Sequence, residues 1–178
     1  MFKLTSAATI AAALLLSGCG AWQSVSDASS SAYHAVFFKQ VKVLNVDLTA
    51  RVALNPDEAG RATSVAVRVY QLKDRRVFDE ATYEDLLKND RAVLAQDQRA
   101  VMSTVVRPGA SSSLSQPMER ETKYVAIVAL YRVPGASGDW KRVIEKKKLD
   151  PNKPLRMDLS LNGLQVAGEV VQSTSSSR

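Results

Sequence analysis

The stretch Asn45-Val46-Asp47-Leu48-Thr49-Ala50-Arg51-Val52-Ala53-Leu54-Asn55 alternates apolar and polar side chains almost without a break. Val46, Leu48, Ala50, Val52 and Leu54 fall on one side, and Asn45, Asp47, Thr49 and Arg51 on the other. A period of two residues predicts a β-strand with one face buried, because successive side chains of an extended chain point in opposite directions. Asn55-Pro56-Asp57-Glu58-Ala59-Gly60 then interrupts the pattern with residues that favour turns. Residues 64–73 resume it, with Val65, Val67 and Val69 on a shared face and a high density of β-branched side chains.

Working outward, the same period recurs. Residues 99–107 form a third candidate strand, ended by Pro108-Gly109. Residues 122–133 are the most apolar run and suit a central strand, and residues 139–145 and 155–161 add two more. In the last, Leu155, Met157, Leu159 and Leu161 alternate cleanly. One segment departs from this. Thr82-Tyr83-Glu84-Asp85 has the form of a helix capping box, with Thr82 as N-cap, and Leu86, Leu87, Val93 and Leu94 follow at helical spacing. A helix over residues 82–89, with a further turn beyond, is therefore expected as an acidic insertion between strands. Six to eight short strands with one helical insertion indicate an all-β, two-sheet sandwich, with a closed barrel as the alternative.

The N-terminus has a different character. Met1 to Lys3 carry one positive charge, and residues 4–16 are mostly Ala, Leu and Ile. A run of this length is short for a membrane-spanning helix and right for a signal peptide. It closes on Leu16-Ser17-Gly18-Cys19, an aliphatic residue, two small residues and a cysteine, which is the lipobox pattern. The expected organisation is a lipoprotein signal peptide over 1–18, a lipidated N-terminus and flexible tether over 19–34, a β-sandwich domain over 35–172 and a disordered tail over 173–178. Cys19 would carry a diacylglyceryl group on its thiol and an acyl chain on its freed amine. Each buried methylene contributes about 0.8 kcal/mol, so several chains together hold a protein permanently. Gly20 stands where aspartate would mark retention at the inner membrane, which favours the outer membrane.

Cys19 is the only cysteine among 178 residues, so no internal disulfide is available and the fold rests on packing. The net charge of +6 is unevenly spread. Residues 120–156 hold ten Lys or Arg against four acids, and residues 74–97 hold four against seven. That lopsidedness points to a charged partner or surface and does not imply nucleic acid. The sharpest basic feature, Lys141-Arg142 with Lys146-Lys147-Lys148, reads either as a lysine-defended edge strand or as a contact for anionic lipid, glycan or an acidic partner. Trp140, Phe78, Tyr83 and Leu86 read as packing residues. The single histidine, His34, lies near the tether, so neither a Ser-His-Asp arrangement nor a metal-ligand cluster can be built around it. No glycine-rich phosphate loop is present, and no cofactor or small-molecule substrate is expected. A paired-carboxylate hydrolase is the one enzyme class that composition leaves open; the reading here is that the chain is not an enzyme.

The ordered set Asn55-Pro56-Asp57, Gly60-Arg61, Val65-Ala66-Val67-Arg68-Val69-Tyr70-Gln71-Leu72-Lys73, Phe78 with the following helix, Pro108-Gly109, the strand ending near Arg132, and Trp140 resembles the TssJ lipoproteins of type VI secretion systems. That resemblance covers nearly all of the mature domain. It implies a transthyretin-like sandwich with helical additions, lipid-anchored in the outer membrane and facing the periplasm. It also implies binding to the periplasmic C-terminal domain of TssM, and through TssM to TssL, in the envelope complex that docks a contractile tail. In the family the loop joining the first two strands carries contacts to TssM. Here that loop is residues 55–63, with Asn55, Pro56, Asp57, Glu58, Gly60 and Arg61 as the partner-binding candidates. The alternative function is a sandwich lipoprotein that binds peptidoglycan or another ligand and has no link to secretion.

Overall fold

A computed structural model describes residues 40–136 and 138–168 of the chain. The expected signal peptide, Cys19, the tether with His34, and the tail over 173–178 lie outside the described residues. The chain from Val41 onward forms one unit. Its strands are β1 (Val43–Ala50), β2 (Val65–Leu72), β3 (Gln98–Val106), β4 (Ser111–Pro117), β5 (Tyr124–Leu130), β6 (Lys141–Glu145), β7 (Leu155–Leu159) and β8 (Leu164–Val166). Three short helices, α1 (Arg76–Glu80), α2 (Tyr83–Lys88) and α3 (Asp90–Val93), sit between β2 and β3.

The strands form two four-stranded sheets, ordered β4-β1-β7-β8 and β3-β2-β5-β6. The architecture is a sandwich, and the barrel alternative falls because the two sheets do not join into one ring. Every pairing is antiparallel except β1 with β7, where Leu48 lies opposite Met157. The inward faces follow from the alternation. Leu44, Val46, Leu48 and Ala50 of β1 and Met157 and Leu159 of β7 are buried from one sheet. Val65, Val67 and Val69 of β2 and Val125, Ile127 and Ala129 of β5 meet them from the other. The one polar side chain in β2 that faces this core is Gln71. Its amide donates to the Pro117 carbonyl at 2.8 Å and accepts from the Glu119 N–H at 2.8 Å and the Thr122 hydroxyl at 2.9 Å, so its buried polar atoms are matched across the sheets.

β5 is the central apolar strand that its composition suggested. Its outward residues Ala126 and Val128 are buried too, because the helices cover the outer face of that sheet. Phe78 of α1 and Leu86 of α2 are fully buried, and the Phe78 and Tyr70 rings lie 6.1 Å apart. Thr82 and Asp85 form the expected capping box. Arg68 and Tyr70, on the outward face of β2, bind Asp90 at 3.0 and 2.7 Å and pin α3, while Arg68 also donates to the Leu86 carbonyl at 2.8 Å.

Four expectations need correction. The first strand stops at Ala50, not Asn55; Val52 is 78% exposed although it keeps the alternation. After Ala50 the chain must leave one sheet to reach the other, and Arg51 N–H and C=O are taken by Leu159 and Gly109, not by a continuing ladder. Likewise β7 ends at Leu159, and Leu161 is exposed in the turn that follows. The helix expected over residues 82–89 is α2 and the further turn beyond it is α3, but α1 (Arg76–Glu80) adds a helix before them that the sequence pattern did not suggest. Finally β4, Ser-Ser-Ser-Leu-Ser-Gln-Pro, was not anticipated as a strand, nor was the three-residue β8. β4 lacks an apolar period because it is an edge strand, held by its backbone ladder to β1 and by pairs such as Ser113 with Asp47 at 2.7 Å and Ser115 with Asn45 at 2.8 Å.

Truncating Ile127, fully buried at the centre of β5, should cost about 2–5 kcal/mol in Ile127→Ala. Val101→Ala, on the exposed outward face of β3, should stay within about 0.5 kcal/mol of the parent. Urea denaturation of the two variants measures both.

Candidate functional site

The loop over residues 55–63 begins at a buried residue. Asn55 is 4% exposed and adopts φ +44°, a left-handed backbone that asparagine tolerates better than most side chains. Its N–H donates to the Leu161 carbonyl at 2.8 Å. Its side-chain amide donates to the Thr63 hydroxyl at 2.9 Å and the Ser64 carbonyl at 2.8 Å, and accepts from the Arg132 N–H at 2.7 Å. One side chain thus ties the two ends of the loop to each other and to the segment after β5.

Asp57 does the same on a smaller scale. Its carboxylate accepts from the Ala59 N–H at 3.0 Å and the Arg61 N–H at 2.9 Å, and pairs with the Arg61 guanidinium at 2.8 Å. These bonds, the Arg61 N–H first and its guanidinium next, hold the Asp57 carboxyl below the usual carboxylate range; the Ala59 N–H and the charge of Arg132 add to the effect. Asp57 N–H and C=O close the turn with Arg61 and Gly60. Gly60 has φ +74° with nothing near its would-be Cβ, so backbone conformation and not space is what calls for glycine there. The loop is therefore organised by its own hydrogen bonds.

The six candidate residues divide accordingly. Asn55 and Asp57 are turned inward and build the loop. Glu58, Ala59, Gly60, Arg61 and Ala62 form its exposed rim, with Pro56 partly covered. Ala59 and Ala62 were not singled out from sequence because alanine carries no chemical signal.

The tertiary fold adds neighbours that no local pattern announces. The end of β1, the β3–β4 turn, the segment after β5 and the β7–β8 turn all converge on this end of the sandwich. Arg51 meets Gly109 and Leu159, Asn55 meets Leu161 and Arg132, and Gly135 N–H donates to the Asn162 carbonyl at 3.0 Å. Large apolar side chains stand exposed here: Val52, Val133 at 73%, Val105 at 62% and Leu161. Beside the loop, an open groove of about 560 Å³ lies on the outer face of the β3-β2-β5-β6 sheet. Its floor is a cross-strand row, Val105–Ala66–Leu130, in which the small Ala66 leaves a dip between two larger residues. Tyr83 and Leu87 of α2 form one wall. The helices bury the rows below this one and stop short of it.

The basic run has a partly internal role. β6 is the edge strand that one reading expected. Lys141 donates its ammonium to the carbonyls of Phe78, Asp79 and Ala81 at 3.0, 2.7 and 2.9 Å, which caps the end of α1. The ammonium also lies over the Phe78 and Trp140 rings, at 5.5 and 5.2 Å. Burial pulls its pKa down, with Asp79 opposing. Lys147 pairs with Glu145 at 2.8 Å. Trp140 packs edge-on against Tyr83 at 5.0 Å, as a core residue and not a platform. Among the described residues no group of three or more His, Cys, Asp or Glu is placed to hold a metal, and no helix is long and apolar enough to cross a membrane.

The fold is thus a two-sheet sandwich with a braced loop beside an open groove at one end. Residues 42–164 match the family model of the Type VI secretion lipoprotein (T6SS-SciN; VasD, EvfM, TssJ), and the chain belongs to that family. The family is thus a lipoprotein component of a secretion system. The fold is similar to a chain of a structure described as "Type VI membrane complex", at 35% identity and TM-score 0.68 over 71% of this chain and 98% of that one. It is similar to a chain of a structure described as the T6SS protein TssM C-terminal domain from EAEC, at 32% identity and TM-score 0.63 over 71% and 98%. It also shares its fold with the T6SS lipoprotein TssJ1 from Pseudomonas aeruginosa, at 24% identity and TM-score 0.58 over 72% and 98%. Among curated proteins no relative matches.

If Asn55 is the brace of the loop, Asn55→Ala should destabilise the domain by about 2–4 kcal/mol. It leaves the Arg132 N–H and the Ser64 carbonyl unmatched and keeps a Cβ at positive φ. Chemical denaturation reads the loss; a change under about 0.5 kcal/mol would remove Asn55 from that role.

Proposed function

We propose that this chain is an outer-membrane lipoprotein that binds the periplasmic C-terminal domain of TssM. It would thereby tie the inner-membrane TssM–TssL assembly of a type VI secretion system to the outer membrane. The observation that carries this reading is the likeness, at 35% identity and across 98% of that chain, to a component of a type VI membrane complex. The presence of TssM in the description of a second similar structure points the same way.

The geometry supports a division of labour between the ends of the sandwich. The chain enters β1 beside Met118, whose N–H donates to the Lys42 carbonyl, and Val43 lies opposite Pro117. The 55–63 loop is at the far end of β1. Eight residues of strand at about 3.3 Å each separate the two by roughly 25 Å. The lipid on Cys19 would tether the domain through the residues that precede β1, and the loop, its rim and the groove lie at the other end of that strand, free to meet a partner. The rim residues Glu58, Ala59, Gly60, Arg61 and Ala62 make the contacts, and Asn55 and Asp57 keep the rim in shape. An envelope-binding role through Lys146, Lys147 and Lys148 has less support, since Lys147 and Lys148 lean on Glu145.

The test uses the full-length protein in cells. Cys19→Ser should move it from the membrane fraction to the soluble periplasm and abolish secretion. Ala59→Trp with Ala62→Trp, which adds bulk at two exposed positions, should leave lipidation intact and abolish co-purification with TssM. Undiminished TssM capture by that variant would refute the loop assignment, and a Cys19→Ser protein that is membrane-bound and still takes up labelled lipid would refute the anchor.

A further inference from the structure

Six of the twelve arginines among the described residues, Arg61, Arg68, Arg75, Arg76, Arg99 and Arg142, pair with a carboxylate within 3.3 Å. Three of the other six gather at the loop end. Arg51 follows β1, Arg107 follows β3 and Arg132 follows β5, so the topology places all three around the same end of the sandwich. None makes an ion pair among the described residues, and the only acids in the neighbouring loop are Asp57, already held by Arg61, and Glu58. The other arginines without such a pair, Arg91, Arg120 and Arg156, lie apart, on α3, in the β4–β5 connection and in β7. All three of the loop-end arginines are exposed, beside the exposed valines of that end. Guanidiniums are weakly hydrated and form paired hydrogen bonds to carboxylates, so they are well suited to acidic partners.

Of the three, Arg132 lines the groove, across from Tyr83 and Leu87 of α2, and Arg107 follows the β3 end that supplies Val105 to its floor. Its floor pairs Val105 at 62% exposure with Ala66 and Leu130, and Leu87 overhangs it. A dip of this kind, with a small residue at its centre, an apolar floor and polar edges, takes a single protruding side chain from a partner.

We propose that the loop end of the sandwich is a two-part docking face for an acidic segment of the partner: Arg51, Arg107 and Arg132 pair with its carboxylates, and the groove over Ala66, between Leu87 and Val105, receives one of its apolar side chains. This rests on the reading that the loop end meets TssM, and it adds the chemistry by which the contact is made. The charge pairs steer the encounter and set its salt dependence, and the buried side chain sets its lifetime.

Full-length lipoprotein, solubilised in detergent, is titrated against the TssM periplasmic domain from the same system at low and high salt. The wild type should bind less tightly as salt rises. Arg51→Glu with Arg107→Glu and Arg132→Glu should weaken binding by about tenfold or more at low salt and flatten the salt dependence. Ala66→Tyr fills the dip with a residue that strands accept, and should weaken binding by a similar factor without changing the salt dependence. Thermal melts confirm that both variants fold. If both bind like wild type while Ala59→Trp with Ala62→Trp does not bind, the docking face is refuted and the loop reading stands. If only the charge variant is impaired, the groove is refuted as a receptor for the partner; if only Ala66→Tyr is, the arginines are refuted. If the wild type fails to bind TssM, the underlying reading falls with the proposal.

Discussion

The arrangement of the loop end of this protein depends on one residue in an unusual conformation. Asn55 turns the chain with a left-handed backbone and spends its whole amide inside the protein. It holds together the start and the finish of the β1–β2 loop, the segment after β5 and the β7–β8 turn. A buried amide with unmatched atoms costs more than its bonds return when made, so a side chain this fully satisfied keeps its surroundings in one arrangement.

The rest of the domain is arranged so that this end stays open. The two sheets close on each other through the inward faces of β1, β7, β2 and β5 without a disulfide, since the only cysteine lies in the lipobox. At the opposite end Gln71 plays a part comparable to Asn55, matching polar groups from β4 and the β4–β5 connection. On the outer face, α1, α2 and α3 bury Tyr70, Ala126 and Val128, and Lys141 fastens α1 from the edge strand. That cover ends one row short of the loop. The resulting groove is a consequence of where the helices stop.

Charge follows the same logic. Much of the basic run that stands out in the sequence is consumed by the fold, with Lys141 capping a helix and Lys147 and Lys148 beside Glu145. The arginines that do not stand out, each isolated in a turn, are the ones gathered at the loop end. A count of charges along the chain does not separate these two groups, because it has no information about which carboxylates lie across a turn or a strand.

Sequence alone determined the class of the fold, since a period of two in β1, β2 and β7 leaves few alternatives for an apolar face of that kind. It determined the capping box at Thr82, whose bonds are local, and the turn at residues 55–63, where Pro56 and Gly60 act on the backbone directly. The expectation of lipid on Cys19 likewise needs nothing but a contiguous motif. Tertiary structure decided the rest. Val52 and Leu161 keep the alternation yet leave the sheet, because a strand ends where its partner ends. β4 is a strand despite its serines, because the β1 backbone supplies its ladder. Asn55 and Asp57 proved to be supports and not rim, and Arg51, Arg107, Arg132 and Ala66 became neighbours of the loop only when four separate connections met at one end. Contacts of that kind depend on which strands lie side by side, and strand order is not written in any local run of residues.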